Sequence, residues 1–301
     1  MGCERWTPVE AVLHPLGVVF LLLTGVFPLP AQPPPAPSAP SRADILRGEY
    51  GLYRANNDLL FYHLDIRVDP EKKFISGKNT IRFRMLKDGT RIQLDLHAAL
   101  AIEKILLGDT ALQYERELGA VFVDFPETLI TGRVYTIDFY YSGNPVETGR
   151  FGGIAFRKDP SGHPWINTAC EGIGASLWWP NKDQWRDEVE SMQISVSIPD
   201  GLVDVSNGKF MGKTGLGDGY TRWDWLVQYP INNYDVSLNI GNYEHFADLR
   251  RSARRPAARL LRAARRPGQG QEAVRAGQGD DRGVSALLRR VSLPEGWLQA
   301  D

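Results

Sequence analysis

Cysteine is almost absent from this chain of 301 residues, which contains only Cys3 and Cys170. Cys3 lies in an amino-terminal segment that has the pattern of a removable signal, so the rest of the chain keeps a single thiol. One thiol cannot form an internal disulfide, which excludes a small domain stapled by disulfide bonds. The core must instead come from hydrophobic residues, which make up 43% of the sequence and are sufficient for a globular protein.

Several sequence motifs of catalytic sites are also missing. The chain contains no HExxH, no CxxC, no phosphate-binding Walker loop and no GxSxG nucleophile motif. Its five histidines are scattered, without a second ligand at metal-binding spacing: His14, His63, His97, His163 and His245. Structural roles are therefore favoured for the histidines, and the sequence predicts neither a metal site nor a catalytic residue in this chain.

Lysine and large aromatic residues are scarce in the C-terminal tail, residues 249–301. From Arg250 onward there are twelve arginines, no lysine and five acidic residues, and Trp297 is the only aromatic residue. These residues carry a net charge of +7, which leaves about −8 for the rest of a chain whose formal charge is −1. A segment with so few large apolar groups buries little surface, so we expect the tail to be disordered or weakly helical.

The amino terminus has the pattern of a targeting segment. An apolar run extends from Leu16 to Leu29, and the small residue Ala31 is a suitable cleavage site. The run is too short, and too interrupted by proline, for a stable membrane span. Residues 1–31 are therefore predicted to be a signal peptide, and the protein to be exported to the periplasm or the extracellular space. The proline-rich residues 32–46 are predicted to form a linker.

The body of the chain, residues 47–248, shows apolar residues with a period of two. Stretches such as LFYHLDIRVD and GRVYTIDFYYSG alternate between apolar and polar side chains. Turn signals separate these stretches, and the dipeptides Asn207-Gly208 and Asp218-Gly219 predict β-hairpins. Short strands at this spacing predict an all-β fold, a saddle-like β-sandwich of stacked and mostly antiparallel sheets.

One loop inside the body departs from this alternation. It follows the strand-like sequence WINTAC and contains three tryptophans, and its charged residues include four candidates for a site: Trp178, Trp179, Trp185, and Glu171, Asp183, Arg186 and Asp187. In a structural interpretation, the tryptophans close one end of the sandwich, and the last three charged residues pair internally. In a functional interpretation, the loop forms part of a binding site.

Four stretches of the body resemble the amino-terminal β domain of the zinc aminopeptidases related to aminopeptidase N and leukotriene hydrolase. They are FYHLDIRVDPEKKFISGKNTIRFRM, TACEGIGASLWWPNKDQW, VSNGK and WDWLVQYPINNYDVSLNIGNY. The resemblance covers residues 47–246 in the order and spacing of the family. It implies a saddle of strands docked beside a thermolysin-like catalytic domain, which binds zinc through HExxH and a distal Glu.

The resemblance also implies a role for Glu171. In the family, a loop of the β domain enters the active site with a Gln-x-Glu motif whose Glu helps to hold the free α-amine of a peptide substrate. The stretch TACE aligns with this motif, so Glu171 is the expected substrate-binding residue. A carboxylate in a pocket of low dielectric selects ligands with a free ammonium group. Two positions depart from the family pattern, with Ala169 in place of a frequent Gln and Ser176 in place of a common Arg.

The resemblance stops at the tail. In the family, the strand that resembles NIGNY leads towards the catalytic domain, whereas here the arginine-rich residues follow. Codons can be chosen for residues 272–300 so that the frame one base later encodes KQFEQAKGMIEAFQHYFGEYPFPKDGYKL, which resembles the family's approach to that domain. We therefore interpret the tail as a frameshifted reading that begins near Leu249. On this interpretation the chain lacks its catalytic domain and zinc ligands, and is inactive alone.

Two other functions are compatible with the sequence. The β domain could be a stand-alone binding or scaffold module, in which the loop around Glu171 only closes the sandwich. Alternatively, the basic tail could bind nucleic acid or anionic lipid, with salt-dependent binding that disappears when residues 250–301 are removed. We expect no nucleic-acid partner, because arginine without interleaved aromatic residues is an unusual stacking platform and an exported protein rarely meets nucleic acid.

The frameshift interpretation makes a prediction about the gene. We expect the frame one base later to remain open past the codon of Asp301 and to encode HExxH with a distal Glu. Sequencing the DNA beyond this codon checks the prediction. If no frame encodes HExxH there, the frameshift interpretation is wrong and the stand-alone module is favoured.

Overall fold

The computed structural model describes residues 39–149, 152–170, 174–247 and 259–263. Strands predominate in these residues and form several mostly antiparallel sheets, which confirms the all-β prediction. None of the helices in these ranges is long and apolar enough to cross a membrane. The predicted signal peptide, residues 1–31, lies outside the described residues, as does the predicted tail apart from residues 259–263.

Two α-helices precede the strands: α1 (Arg42–Gly48) and α2 (Leu52–Ala55). The strands, in chain order, are β1 (Asn57–Asp69), β2 (Phe74–Met85), β3 (Gly89–Asp95), β4 (Leu100–Leu107), β5 (Thr110–Ala111), β6 (Gln113–Glu117), β7 (Ala120–Leu129), β8 (Val134–Gly143), β9 (Gly152–Lys158), β10 (Pro164–Cys170), β11 (Ser191–Pro199), β12 (Val203–Ser206), β13 (Lys209–Gly215), β14 (Tyr220–Val227), β15 (Leu238–Gly241), β16 (Tyr243–Ala247) and β17 (Arg259–Ala263). Short 3₁₀ helices span Ala175–Leu177 and Asn233–Asp235.

The strands of the described ranges form four sheets. The largest has eight strands in the order β13-β14-β11-β1-β2-β8-β4-β5, and a second has four in the order β12-β15-β10-β9. The others are the three-stranded sheet β3-β7-β6 and the pair β16-β17. Among the described pairs, only β1 and β11 run parallel, at the centre of the large sheet. The chain must therefore travel through most of the domain between two strands that lie side by side.

Alternation along β1 shows where the core lies. Leu64, Ile66 and Val68 are buried, whereas His63 and Arg67 between them are partly exposed. Successive side chains of a strand point to opposite faces of a sheet, so the apolar set of β1 enters the core and the polar set meets solvent. Burying a side chain of this size contributes roughly 1.5–3 kcal/mol. The period of two in the sequence therefore reflects a strand with one buried face and one exposed face, as predicted.

Helix α1 begins inside the stretch that the sequence predicts to be a linker, residues 32–46. The hydroxyl of Ser41 accepts a hydrogen bond from the N–H of Asp44 at 3.2 Å, and the Asp44 carboxylate accepts one from the Ser41 N–H at 3.0 Å. This reciprocal arrangement is a capping box, which satisfies two backbone donors at a helix start. The structure therefore differs from the linker prediction over residues 42–46.

The two predicted hairpin turns have different outcomes. Asp218-Gly219 lies between β13 and β14, which pair antiparallel, as predicted. Asn207-Gly208 does not close a hairpin, because β12 pairs with β15 whereas β13 pairs with β14. The Asn207 amide accepts from the N–H of Ser237 at 2.7 Å, which ties the turn to the segment before β15. This turn therefore moves the chain from one sheet to another.

Residues 259–263 also differ from the prediction, since the sequence indicates a disordered or weakly helical tail. They form β17, which pairs antiparallel with β16 from Tyr243↔Ala263 to Ala247↔Arg259. The sequence RLLRA supplies two adjacent leucines within an otherwise basic run. Backbone pairing with a strand edge needs no particular side-chain pattern, so composition alone could not indicate it.

Asp204 of β12 is a carboxyl group buried where two sheets meet. It is fully buried, and one of its oxygens, Oδ2, accepts hydrogen bonds from Trp225 Nε1 at 2.8 Å and from the Ser206 hydroxyl at 3.1 Å. No described residue forms an ion pair or hydrogen bond with its other oxygen. Burial raises the pKa of Asp204 to about 7, because removing water penalises the charged form.

This buried carboxyl group should make stability depend on pH. Its pKa in the folded state lies above the ordinary value, so its stabilising effect is complete below about pH 4 and is lost as pH rises through about 7. We expect the Asp204 contribution to fall by at most about 4 kcal/mol across this range. Chemical unfolding of the wild type and of Asp204→Asn from pH 4 to 8 measures this fall in the free energy of unfolding. In Asp204→Asn the contribution of Asp204 to the pH dependence should disappear.

The exposed Asp218→Asn is the matched control and should leave the pH profile of stability unchanged. The two variants remove one carboxyl group each, and only one of these groups is buried. If Asp204→Asn keeps the pH dependence of the wild type, the assignment of that dependence to Asp204 is wrong.

Candidate functional site

The loop between β10 and β11 is fixed by two buried tryptophans. We call residues 174–190 the tryptophan loop. Trp178 and Trp179 are both 0% exposed, and Trp179 packs edge-to-face on Tyr62 of β1 with ring centroids 5.1 Å apart. The indole N–H of Trp178 donates to the sulfur of Cys170 at 3.3 Å. These two tryptophans close the sandwich, as the structural interpretation of the sequence predicts.

Trp185 behaves differently from the other two tryptophans of the loop. Its side chain is 78% exposed, and its ring lies 6.1 Å from the ring of Tyr234, centroid to centroid. Tyr234 is itself 44% exposed. The expectation that all three tryptophans are structural plugs is therefore wrong for Trp185. An exposed aromatic pair of this kind is typical of a binding surface.

Asp183 connects the start of the tryptophan loop to β3 and to the segment before β15. Its carboxylate accepts hydrogen bonds from the hydroxyl of Ser176 at 2.6 Å and from the side-chain amide of Asn233 at 3.2 Å. A Cβ atom on Gly174 would lie 1.9 Å from this carboxylate, so the close approach requires glycine. The N–H of Asp183 donates to Asp95 of β3 at 2.9 Å. Asp183, which the sequence offers as a candidate site residue, therefore has a structural role as an acceptor of internal hydrogen bonds.

A buried ion pair lies directly behind Asp183. Arg54 of α2 is fully buried, and its Nη2 lies 2.6 Å from Oδ1 of Asp95. Its Nη1 donates to the carbonyls of Arg47 at 3.0 Å and Glu49 at 2.8 Å. Burial raises the pKa of Asp95 to about 6, although the positive charge of Arg54 opposes this shift. The ion pair joins α1, α2 and β3 behind the tryptophan loop.

A second buried ion pair lies within the tryptophan loop. Lys182 is 0% exposed, and its ammonium group donates to the Asp187 carboxylate and, at 2.8 Å, to the carbonyl of Asn57. Asp187 also accepts from the N–H of Leu59 at 3.1 Å. Burial lowers the pKa of Lys182, and the negative charge of Asp187 opposes this shift. The loop is thereby attached to the start of β1.

The structure corrects the expected pairing among Asp183, Arg186 and Asp187. The two aspartates are engaged internally, but with Ser176, Asn233 and Lys182 as their side-chain partners rather than with each other or with Arg186. Arg186 is exposed, with its guanidinium carbon 5.8 Å from the ring centroid of Tyr50. Sequence reasoning missed Arg54 and Asp95, which are 41 residues apart, and it also missed the buried Lys182.

A cavity of about 560 Å³ opens beside the tryptophan loop. The described residues that line it are Arg47, Gly48, Cys170, Gly174, Asp183, Gln184, Trp185, Arg186 and Tyr234. Glu171, the residue expected to bind substrate, lies outside the described residues, which omit 171–173. The neighbours of that gap, Cys170 and Gly174, both line the cavity. Burial raises the pKa of the Cys170 thiol to about 11, so this thiol is a poor nucleophile.

The described residues do not provide a zinc site. They contain no group of three or more His, Cys, Asp or Glu side chains that could hold a metal ion. A catalytic zinc site needs three protein ligands around one point. The part of the chain that the structure describes therefore does not fit this metal, and its residues can contribute binding and positioning.

Solved structures share this fold. An M1 zinc metallopeptidase from Deinococcus radiodurans matches with a TM-score of 0.59 and 20% identity, over 71% of this chain and 49% of its own. A mutant of it bound to a Tyr-Ser-Ala substrate matches with a TM-score of 0.60 and 20% identity, over 72% of this chain and 50% of its own. A two-domain M1 zinc metallopeptidase mutant bound to L-arginine gives the same values. The present chain thus spans about half the length of these structures, and a search of the curated proteins finds no match.

The strand order and the mostly antiparallel sheets define the class of the protein as an all-β domain. The family profile described as the peptidase M1 N-terminal domain matches residues 59–234, which is more than half of the chain. The chain therefore belongs to the family of peptidase M1 N-terminal domains. This membership confirms the resemblance seen in the sequence.

The buried pair in the tryptophan loop generates a stability prediction. Lys182→Met leaves the Asp187 carboxylate buried without its cation, and we expect the free energy of unfolding to fall by about 3 kcal/mol. Chemical unfolding at neutral pH measures this change. The double variant Lys182→Met/Asp187→Leu should recover most of the loss, because it removes both charges.

The matched control is Lys209→Met on β13, where the side chain is exposed. This change should alter the free energy of unfolding by less than about 0.5 kcal/mol, as is usual for the surface. Equal effects of the two single variants would show that the Lys182 contact does not hold the loop.

Proposed function

We propose that this chain is the substrate-binding β domain of a zinc aminopeptidase, and that Glu171 holds the free α-amine of the peptide. The observation that carries the proposal is the cavity whose lining includes Cys170 and Gly174, on either side of residues 171–173. Membership of the M1 N-terminal domain family supports it independently. The Glu171 carboxylate and a peptide ammonium form a charge-assisted contact, which selects unblocked amino termini.

Internal contacts hold the tryptophan loop, which forms part of the cavity wall, in a fixed position. Asp183 is bound to Ser176 and Asn233 on one side of residues 174–190, and Asp187 is bound to Lys182 and Leu59 on the other. Side chains held from a supported loop need little reorganisation when the ligand arrives, so less binding energy is lost to ordering. In this proposal the chain binds and orients the peptide amine, and excludes water from it.

Hydrolysis is assigned to a separate catalytic domain. In enzymes of this class, zinc polarises the scissile carbonyl and activates water, and the described residues cannot hold that metal. The coverage of about half of the two-domain structures supports a catalytic domain as the missing partner. The exposed Trp185 and Tyr234 support it too, because an apolar surface of this kind is usually covered in a functional assembly.

Two further parts of the proposal concern the ends of the chain. We propose that residues 1–31 direct export to the periplasm or the extracellular space, on the basis of their apolar run and the small residue Ala31. We also propose that the arginine-rich residues 249–301 arise from a change of reading frame. Export would be supported if protein recovered from the periplasm or the medium had its amino terminus near residue 32.

The amine-binding role is tested by ligands that differ only in the α-amine. We expect the full chain to bind leucine amide but not N-acetyl-leucine amide, and we expect Glu171→Gln to bind leucine amide at least about tenfold more weakly, since a hydrogen bond to a charged group is worth some 1.5–3 kcal/mol. Isotope-labelled protein titrated by NMR measures both. Glu127→Gln, an exposed position on β7, is the matched control.

Equal binding of the acetylated and free ligands, or unchanged binding by Glu171→Gln, would contradict the amine role. In the same preparations we expect no stoichiometric zinc and no release of amino acid from alanyl or leucyl amides. One zinc ion per chain, measured by elemental analysis, would overturn the assignment of catalysis to another domain.

A further inference from the structure

Two arginine side chains on the rim of the cavity form no ion pair with an acidic side chain of the described residues. Arg47, in the last turn of α1, and Arg186, in the tryptophan loop, both line the cavity and are exposed. The ion pairs of the described chain involve other cations. Two guanidinium groups are therefore available to a ligand at the same opening.

Both arginines stand on backbone that is held in place. The carbonyl of Arg47 accepts hydrogen bonds from Arg54 at 3.0 Å and from the side-chain amide of Gln184 at 2.7 Å. Arg186 immediately precedes Asp187, which is paired with the buried Lys182. The backbone contacts join the end of α1 to the tryptophan loop, so the cavity always presents these two residues together.

The described lining of the cavity contains one carboxylate, and that carboxylate is already occupied. Asp183 is 7% exposed and accepts hydrogen bonds from Ser176 and Asn233. These donors occupy acceptor positions on its oxygens, so fewer of them remain for the arginines. The rim consequently retains positive charge, whereas Trp185 and Tyr234 provide an aromatic wall beside it.

We propose that Arg47 and Arg186 bind a carboxylate of the peptide, and that the cavity therefore prefers short peptides with a free carboxyl terminus or an acidic side chain. This inference rests on the proposed function, in which Glu171 binds the peptide amine at the same cavity. Guanidinium groups match carboxylates geometrically and donate up to two parallel hydrogen bonds to them. A peptide that is positive at one end and negative at the other thus meets both kinds of partner.

Four peptides separate the two sources of carboxylate. They are Leu-Ala-Glu, Leu-Ala-Gln, and the C-terminal amide of each, and all have a free amine. Binding to the full chain is followed through the indole N–H resonance of Trp185, which is identified by its loss in Trp185→Phe. We expect Leu-Ala-Gln amide to bind most weakly, and a peptide with one carboxylate in reach to bind about fivefold more tightly, as suits partly exposed ion pairs.

Substitutions then test the two arginines. We expect Arg47→Gln and Arg186→Gln each to reduce the preference for carboxylate peptides, and the double variant to abolish it while Leu-Ala-Gln amide still binds. Arg67→Gln is the matched control, because Arg67 lies at the end of β1, pairs with Asp218 and does not line the cavity. Its carboxylate preference should equal that of the wild type.

The outcomes separate this inference from the proposed function. Equal affinity for all four peptides, or a preference that survives in the double variant, overturns the arginine site and leaves the amine role of Glu171 untouched. The absence of any Trp185 shift also overturns the arginine site. The amine role itself is tested separately, by comparing the binding of leucine amide with that of N-acetyl-leucine amide.

Discussion

The buried ion pairs behind the tryptophan loop are the constraint on which the rest of the site depends. Charges removed from water are costly unless they are paired and hydrogen-bonded, so Arg54 with Asp95, and Lys182 with Asp187, tolerate few alternative arrangements. The first pair joins segments that are 41 residues apart, and the second connects the loop to the distant start of β1 through hydrogen bonds to Asn57 and Leu59. These contacts fix a loop that has irregular backbone structure. Because the loop lines the cavity, they also fix one of the cavity walls.

The division of labour inside the loop follows from this constraint. Trp178 and Trp179 belong to the core, and Asp183 and Asp187 are consumed by internal contacts. The side chains that remain available to a ligand are those that line the cavity and make none of these internal contacts, including Trp185. Structure and function thus use different residues of one short segment, which explains why composition alone could not assign them.

The sequence predicts the sheets well because one face of each strand is buried and a period of two records that face. It predicts the burial of Trp178 and Trp179, but it gives no sign of Arg54 and Asp95, whose 41-residue separation leaves no local pattern. Lys182 is missed for a related reason, since a lysine in a polar loop usually faces solvent. The assignment of Glu171 comes from family resemblance, and no contact of the described residues tests it.

The parallel pairing of β1 with β11 has a consequence for synthesis. The hydrogen bond between Leu59 and Asp187 closes a span of 128 residues, so the centre of the largest sheet cannot form until the ribosome has released most of the domain. Until then β1 can pair with β2 on one edge, and its other edge lacks its partner strand. Non-local pairing of this kind slows folding and leaves nascent chains prone to aggregate, which gives chaperones a natural point of entry.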